Sequence, residues 1–228
     1  FSYFLFMLLL WWAAVRLPVA ATSIGKQFWQ GARSLFAESQ WLVLMVVIFC
    51  SGLASGVTNT FLFLYVDQMG GSHRLMGLSL FVATLSEVPI FFYADALLRR
   101  WGARGLLALA LLAQSVRCFA YAIMPAPWLI LPISALHGLT FSAMWSAAVA
   151  YAGELAAPKG LMTTAQGLLS GVSFGLSGLV GAVLGGLVFE LLGPTILFVA
   201  VGCVALGGLL FFLLSGRNAA SVKQSAVA

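Results

Sequence analysis

The sequence predicts an all-α integral membrane protein with six complete transmembrane helices and the end of a preceding helix. Composition is the first observation behind this prediction, since 62% of the 228 residues are hydrophobic and only 7% are charged. Soluble domains carry about 25% charged residues, so this chain has too little polar surface to cover a globule in water. A disordered segment, a nucleic-acid-binding protein and a soluble enzyme are therefore not expected.

The lengths of the apolar runs are the second observation. A helix needs about 20 apolar residues to cross the hydrocarbon core of a bilayer. Six runs reach that length, at 41–66, 75–98, 105–124, 127–152, 160–192 and 195–215. Each is expected to be helical, because backbone polar groups cannot stay unpaired in lipid. A shorter run over 1–15 is interpreted as the end of the last helix of an N-terminal half.

One connection between the apolar runs is much longer than the others. Residues 16–39 mix glycine, serine and basic residues, whereas the other runs are joined by short turns that contain glycine or proline. This pattern predicts a loop between two halves over 16–39, a six-helix domain over 40–215 and a tail over 216–228.

The basic residues indicate how the predicted helices are oriented. If the helices alternate in direction, nine basic residues fall on one side: Arg16, Lys26, Arg33, Arg99, Arg100, Arg104, Lys159, Arg217 and Lys223. Only Arg74 falls on the other side, and Arg117 lies inside a helix. Lysine and arginine are enriched in cytoplasmic loops, so the connection 16–39 and the C-terminus are predicted to be cytoplasmic. Topology thus explains the net charge of +5 without a nucleic-acid partner.

A glycine pattern in the run 160–192 predicts close helix contacts. Gly167, Gly171 and Gly175 are spaced by four residues, and Gly181 and Gly185 repeat the spacing. Small residues at this spacing let helix backbones approach one another in membranes. Static packing and a surface that slides during transport are both open interpretations.

Three ionisable residues lie inside the predicted membrane helices. Glu87, Arg117 and His137 occur on consecutive runs, each about 15–18 Å from the start of its run at 1.5 Å per residue. Such a residue costs about 2.5–3.5 kcal/mol at the centre of a membrane helix, so pairing among the three, or binding of a solute, is expected. The alternatives are that His137 is a packed histidine and that Glu87 satisfies backbone groups freed by Pro89.

Polar neighbours on the same helix faces predict a water-filled cavity. Gln114, Arg117 and Tyr121 share one face at i, i+3 and i+7. Arg117 is expected to bind an anionic or polar group of a solute, and Glu87 and His137 are candidate proton carriers. The other candidate lining residues are Gln114, Asn59, Tyr121 and Trp145.

The sequence contains no pattern of an enzyme or a metal site. Cys50, Cys118 and Cys203 lie within apolar runs, and no His/Cys/Asp group has metal-ligand spacing. The glycine pairs lack the Lys and Ser/Thr of a phosphate-binding loop. We therefore expect no catalytic residues, no metal and no cofactor.

Four short segments of the chain resemble a known group of membrane proteins. The segments that carry the resemblance are Ser86-Glu87-Val88-Pro89-Ile90-Phe91-Phe92, Leu136-His137-Gly138-Leu139-Thr140-Phe141, Met144-Trp145-Ser146-Ala147-Ala148 and Ala165-Gln166-Gly167-Leu168. They are similar to the group called major facilitator domain-containing protein 6 and its phenylpropionate-permease relatives, over about residues 43–214. The resemblance implies that 40–215 is the C-terminal six-helix half of a major facilitator fold, completed by the N-terminal half of the same parent chain.

Phe91-Phe92, Arg100-Trp101-Gly102-Ala103-Arg104, Ser115-Val116-Arg117 and Leu136-His137 form a second set of segments. They resemble the pattern of the lactose permease family of oligosaccharide–proton symporters. Arg117 and His137 occupy the positions of an arginine and a histidine that lie in that family's sugar and proton site. The family's proton-accepting glutamate, three residues after the histidine, falls at Thr140 here. The resemblance therefore leaves both proton symport and uniport open, with Glu87 as the remaining candidate proton acceptor.

Together these features predict transport of a small polar or organic-anion solute by alternating access, with proton symport as one form of it. The alternative is a membrane receptor or scaffold that has the same fold and does not transport. The expected partners are the solute, protons in the case of symport, the lipid bilayer and the N-terminal half.

Overall fold

A computed structural model of the chain describes the backbone over 21–225 and the side chains over 25–215. The predicted helix end at 1–15 and the last three residues of the predicted tail lie outside this range. The described regular structure is helical: α1 (Ala21–Phe36), α2 (Ser39–Gln68), α3 (His73–Phe92), α4 (Ala94–Ala122), α5 (Ile130–Ser134), α6 (Ala143–Ala156), α7 (Met162–Ser170) and α8 (Ser177–Ser225). Short 3₁₀ turns at Pro127–Leu129 and Ala157–Lys159 and π turns at Gly138–Ser142 and Gly171–Leu176 connect them.

The helices are long enough for repeated membrane crossings. Four helical stretches are individually long and apolar enough to span a bilayer, and a fifth span results if Pro127–Ser134 and Gly138–Lys159, bent by 45°, cross together. The stretch Met162–Ser215 has 54 residues, about 80 Å at 1.5 Å per residue, against a hydrocarbon core of about 30 Å. It is divided at Gly193, whose φ of 84° and ψ of 169° are non-helical. Two crossings therefore fit this stretch, and six fit the described chain, which confirms the predicted all-α membrane class.

Two predicted spans have different limits in the structure. The predicted span 75–98 ends at Phe92, and α4 begins at Ala94 and continues past the predicted turn at 99–104. That turn is reduced to a break at Gly102, where φ is 68° and ψ is 166°. A positive φ is easily adopted only by glycine, so the helix can break there within one residue. The helical stretch before the break carries exposed arginines, which favour a place outside the hydrocarbon because a charge within it is costly.

The connection 16–39, predicted as a loop, contains the helix α1. Its apolar side chains Ala32 and Leu35 are buried, whereas Trp29 is 72% exposed. Gly31 faces α7 so closely that a Cβ atom would lie 3.1 Å from Thr164 Oγ1. The prediction missed this helix because a segment of 16 residues with little net hydrophobicity looks like a loop in the sequence. In the structure the helix is stabilised by burial of its one apolar face.

Helix α8 holds the bundle together by packing along α2 and α4. The buried side chains form two apolar clusters at different depths. On α4, Leu111 belongs to one cluster and Cys118 to the other. Ile130 of α5 and Ala143 of α6 are likewise in different clusters. The polar residues of α4 and of the bend after α5 therefore lie in a layer between the two apolar cores.

The glycine stripe is only partly used for helix packing within the described residues. A Cβ atom at Gly185 would lie 2.9 Å from the Phe61 ring, and one at Gly181 would lie 3.5 Å from the Leu53 carbonyl oxygen, so both glycines face α2. Gly171 and Gly175 have no described neighbour where a Cβ atom would stand. The π turn at Gly171–Leu176 changes the helical register, which separates these glycines from the contacting face.

Candidate functional site

Arg117 lies at the centre of a polar cluster between α4 and the bent span. Its side chain is 4% exposed. Its Nε donates a hydrogen bond to the Tyr121 hydroxyl at 3.3 Å, and its Nη1 donates to Thr140 Oγ1 at 3.2 Å. The same Nη1 lies 2.9 Å from Nδ1 of His137. Because arginine only donates hydrogen bonds, Nδ1 is the acceptor, and neutral His137 carries its hydrogen on Nε2.

Glu87 extends this cluster on the far side of the histidine ring. His137 Nε2 lies 3.1 Å from Glu87 Oε1, and both side chains are about one-fifth exposed, at 19% and 21%. The His137 ring stacks on Phe141 with a centroid distance of 5.6 Å. The ring is thereby held in one plane between a permanent cation and a carboxylate. The structure thus brings Glu87, His137 and Arg117, from three consecutive spans, into one connected chain.

The bent span supplies two of the groups around Arg117. The π turn Gly138–Ser142 follows His137 directly. Within it, Thr140 Oγ1 donates to the His137 carbonyl oxygen at 3.0 Å while it accepts from Arg117. Wider π turns place side chains in directions that a regular helix does not offer, and they are frequent at functional sites. Here both His137 and Thr140 face the guanidinium group.

A cavity of about 310 Å³ opens beside Arg117. Its polar wall is formed by Arg117, His137, Ser134, Thr58, Asn59 and Ser79, and its apolar wall by Leu62, Phe63, Leu80 and Ala83. None of the described residues accepts a hydrogen bond from Nη2 of Arg117. The cavity therefore offers a cationic donor group in a largely apolar surrounding, which suits a polar or anionic group on a small solute.

The predicted lining residues take different places. Asn59 lines the cavity. Tyr121 is fully buried and orients Arg117 from behind. Gln114 is also fully buried, with its Nε2 3.6 Å from Cys118 Sγ and its Oε1 without a partner among the described residues. Trp145 stacks on Phe174 of the next span, at a ring distance of 5.3 Å, and does not reach this cavity.

Sequence reasoning missed several side chains that line the cavity. Ser134 lies three residues before His137, a spacing that predicts a shared face in a continuous helix and could have identified it. Ser79 was missed because it lies apart from the ionisable residues in the sequence. Over residues 25–215, no group of His, Cys, Asp and Glu side chains could hold a metal ion.

A buried cationic cluster beside a cavity occurs in several classes of helical membrane protein, so the family to which the chain belongs decides among them. Residues 4–200 match the model of the MFS_1 like family. The chain belongs to the MFS_1 like family. This confirms the predicted resemblance to major facilitator transporters and the prediction that the chain is not an enzyme.

Relatives of the family match most of this chain. Maltose permease of Geobacillus stearothermophilus is 31% identical over 191 residues, which cover 83% of this chain and 48% of the permease. Major facilitator superfamily domain-containing protein 6-like protein A of Xenopus laevis is 27% identical over 83% of this chain and 31% of its own length. The uncharacterized transporter YwbF of Bacillus subtilis is 23% identical over 87% of this chain and 50% of its own length.

The chain spans between about a third and a half of these curated relatives. It is an integral, multi-pass membrane protein of a transporter family.

Proposed function

We propose that the chain is the C-terminal half of a secondary transporter that moves a small polar or organic-anion solute by alternating access. The observation that carries this proposal is the buried guanidinium of Arg117, with Nη2 free of described acceptors, beside a 310 Å³ cavity. Solute sites of such transporters lie near the middle of the membrane, between the two halves. The N-terminal half would close the open side of this cavity.

The two walls of the cavity indicate a solute with a polar end and an apolar body. Arg117 and Ser134 would bind a carboxylate or hydroxyl groups, while Phe63 and Leu80 would contact hydrocarbon. Binding an anion offsets the cost of keeping the Arg117 charge out of water. The proposed class therefore includes small organic acids and compact polyhydroxyl compounds.

We propose that His137 and Glu87 couple this binding to protons. A protonated His137 carries hydrogens on both ring nitrogens, so Nδ1 can no longer accept from Arg117. Two cations 2.9 Å apart also repel each other strongly at mid-membrane. Protonation would therefore release Arg117 toward the cavity, while Glu87 stabilises the imidazolium. An anionic solute on Arg117 would in turn favour the protonated histidine, and this reciprocity is what coupling requires.

We further propose that α1 and the C-terminal end of α8 lie on the cytoplasmic side. The uneven distribution of Lys and Arg over the two sides supports this orientation. The interaction of Lys159 with Glu38 and with the Ser34 carbonyl oxygen would then join α1 to the turn before α7 at the cytoplasmic surface.

Uptake by the complete two-half transporter in proteoliposomes tests the proposal. The probes are [¹⁴C]maltose, [¹⁴C]benzoate and [³H]uridine, each with and without an imposed proton gradient. We expect gradient-stimulated uptake of at least one probe, loss of uptake in Arg117→Ala, and loss of the gradient response alone in Glu87→Gln. Thr60→Ala is the matched control, because the Thr60 hydroxyl is exposed and bonds only within its own helix.

Two results would contradict the proposal in different ways. Uptake that does not respond to the gradient would remove proton coupling and leave a facilitator. A folded protein that takes up none of the probes, and whose Arg117→Ala variant behaves identically in every assay, would favour the receptor or scaffold alternative.

A further inference from the structure

A contact between two backbones lies directly beneath the Glu87–His137 pair. Gly138, which follows His137 in the chain, rests on the peptide bond that joins Ser86 to Glu87. A Cβ atom on Gly138 would overlap the Ser86 carbonyl oxygen and would lie 3.0 Å from the Glu87 nitrogen. No side chain fits there. The backbones of α3 and the bent span are therefore in contact at Ser86, which precedes Glu87, and at Gly138, which follows His137.

The Ser86 side chain fixes this contact in one register. The Gly138 N–H donates to Ser86 Oγ at 2.8 Å, and Ser86 Oγ donates to the Ala83 carbonyl oxygen at 2.6 Å. Gly138 begins the π turn just after the 45° bend, where helical hydrogen bonding is interrupted. An unpaired N–H inside a membrane is costly, so the hydroxyl both satisfies this group and ties it to α3.

The geometry of the Glu87–His137 pair follows from this contact between Ser86 and Gly138. Glu87 and His137 are each covalently attached to a residue of the contact, and their side chains meet at 3.1 Å. The charged groups that contact His137 are Glu87 from α3 and Arg117 from α4, and Tyr121 contacts Arg117 rather than the ring. The residues of α2 that line the cavity are Thr58, Asn59, Leu62 and Phe63, and none of them titrates.

We propose that Ser86 and Gly138 are positioning residues for proton coupling. They hold the Glu87 carboxylate within hydrogen-bonding distance of His137, and neither of them lines the solute cavity. The inference rests on the proposed function. It predicts that loss of the Ser86 hydroxyl weakens coupling more than solute binding.

Histidine NMR tests the positioning without any solute. The chain has two histidines, and exposed His73 is an internal reference for His137. In the ¹⁵N-histidine-labelled chain in nanodiscs, we expect the His137 Nε2 signal to shift in Ser86→Ala. The signal should return in Ser86→Thr, which keeps the hydroxyl, and stay unchanged in Thr60→Ala. His73 should not shift in any variant.

Uptake measurements separate the failure of this inference from failure of the proposed function. With benzoate as probe, gradient-stimulated uptake by Ser86→Ala should fall roughly fivefold, the population change that one lost hydrogen bond causes. Benzoate exchange without a gradient should stay within twofold. An unchanged His137 signal and unchanged coupling in Ser86→Ala, with coupling lost in Glu87→Gln, would overturn the positioning role alone. Full coupling in Glu87→Gln would overturn the proposed function itself.

Gly138→Ala, which must separate the two spans, should lose coupling. A folded Gly138→Ala variant that keeps coupling would also contradict the inference.

Discussion

Two arginines of this chain, Arg117 and Arg104, have opposite surroundings. Arg104 donates to the Tyr151 hydroxyl at 2.6 Å and to the Phe212 carbonyl oxygen at 3.5 Å. Its guanidinium carbon lies 4.6 Å from the centre of the Phe212 ring and 5.5 Å from that of Tyr151. It joins the part of α4 just after the Gly102 break to α6 and α8.

Arg117, in contrast, contacts groups that can change their protonation state. Its partners include His137, with Glu87 on the other side of that ring, and it borders a cavity. The partners of Arg104 are two ring faces, a hydroxyl and a backbone carbonyl, and among the described residues it contacts neither a histidine nor a carboxylate. Their neighbours, rather than residue type or burial alone, are the basis for our proposal that Arg104 stabilises the fold and that Arg117 serves binding and coupling.

The largest expected effect is from Arg117→Lys. A lysine ammonium is a compact charge and cannot reproduce the planar fork that reaches Tyr121, Thr140 and His137 together. Disrupting hydrogen bonds to a charged group costs about 1.5–3 kcal/mol each, so initial rates of benzoate uptake should fall roughly 100-fold. Arg104→Lys is the matched variant and should retain uptake within about threefold per folded molecule. Equal losses in both variants would remove the distinction between the two arginines.

Removing Arg104 should mainly reduce stability. Arg104→Ala loses stacking on Phe212 and a hydrogen bond to Tyr151, together about 2 kcal/mol. We expect a lower thermal unfolding midpoint in detergent and near-normal uptake per folded molecule. A variant as stable as the wild type, but unable to transport, would instead place Arg104 in the transport cycle.

Two tyrosines sharpen the same comparison at a smaller scale. Tyr121→Phe removes the hydroxyl that accepts a hydrogen bond from Arg117 and lies 3.5 Å from Ser134 Oγ. Loss of such a hydrogen bond costs about 1 kcal/mol. We expect the KM for benzoate to rise roughly fivefold, with little change in the thermal unfolding midpoint. In Tyr151→Phe, which removes the hydroxyl beside Arg104, the KM should stay unchanged while the unfolding midpoint falls. The reverse pattern would contradict the assignment.

The smallest effect is expected at Trp145. Because Trp145 packs on Phe174 and lies outside the cavity, Trp145→Phe should change the KM for benzoate less than twofold, which is under about 0.5 kcal/mol. A larger change would show that the solute site extends to this ring in the complete transporter, as the sequence alone suggests.

The sequence by itself determined the membrane class, the approximate crossings and the three ionisable residues of the cluster. These depend on local properties: a helix must reach across the bilayer, and a charge at its centre is costly. The predicted runs and the described helices agree best at α2, where the predicted run 41–66 and the helix Ser39–Gln68 differ by two residues at each end.

Tertiary structure decided which side chains meet. Helical periodicity identifies faces but not their neighbours, so it placed Trp145 in the site and missed Ser134 and Ser79. The bend and π turn beside His137 shift the register, which sets the nitrogen that faces Arg117. Likewise, the contact of Gly138 with α3 depends on how two spans cross. A sequence determines how deep a residue lies in the membrane, whereas its partners are fixed only when the helices pack, because packing selects one neighbour among several equally apolar faces.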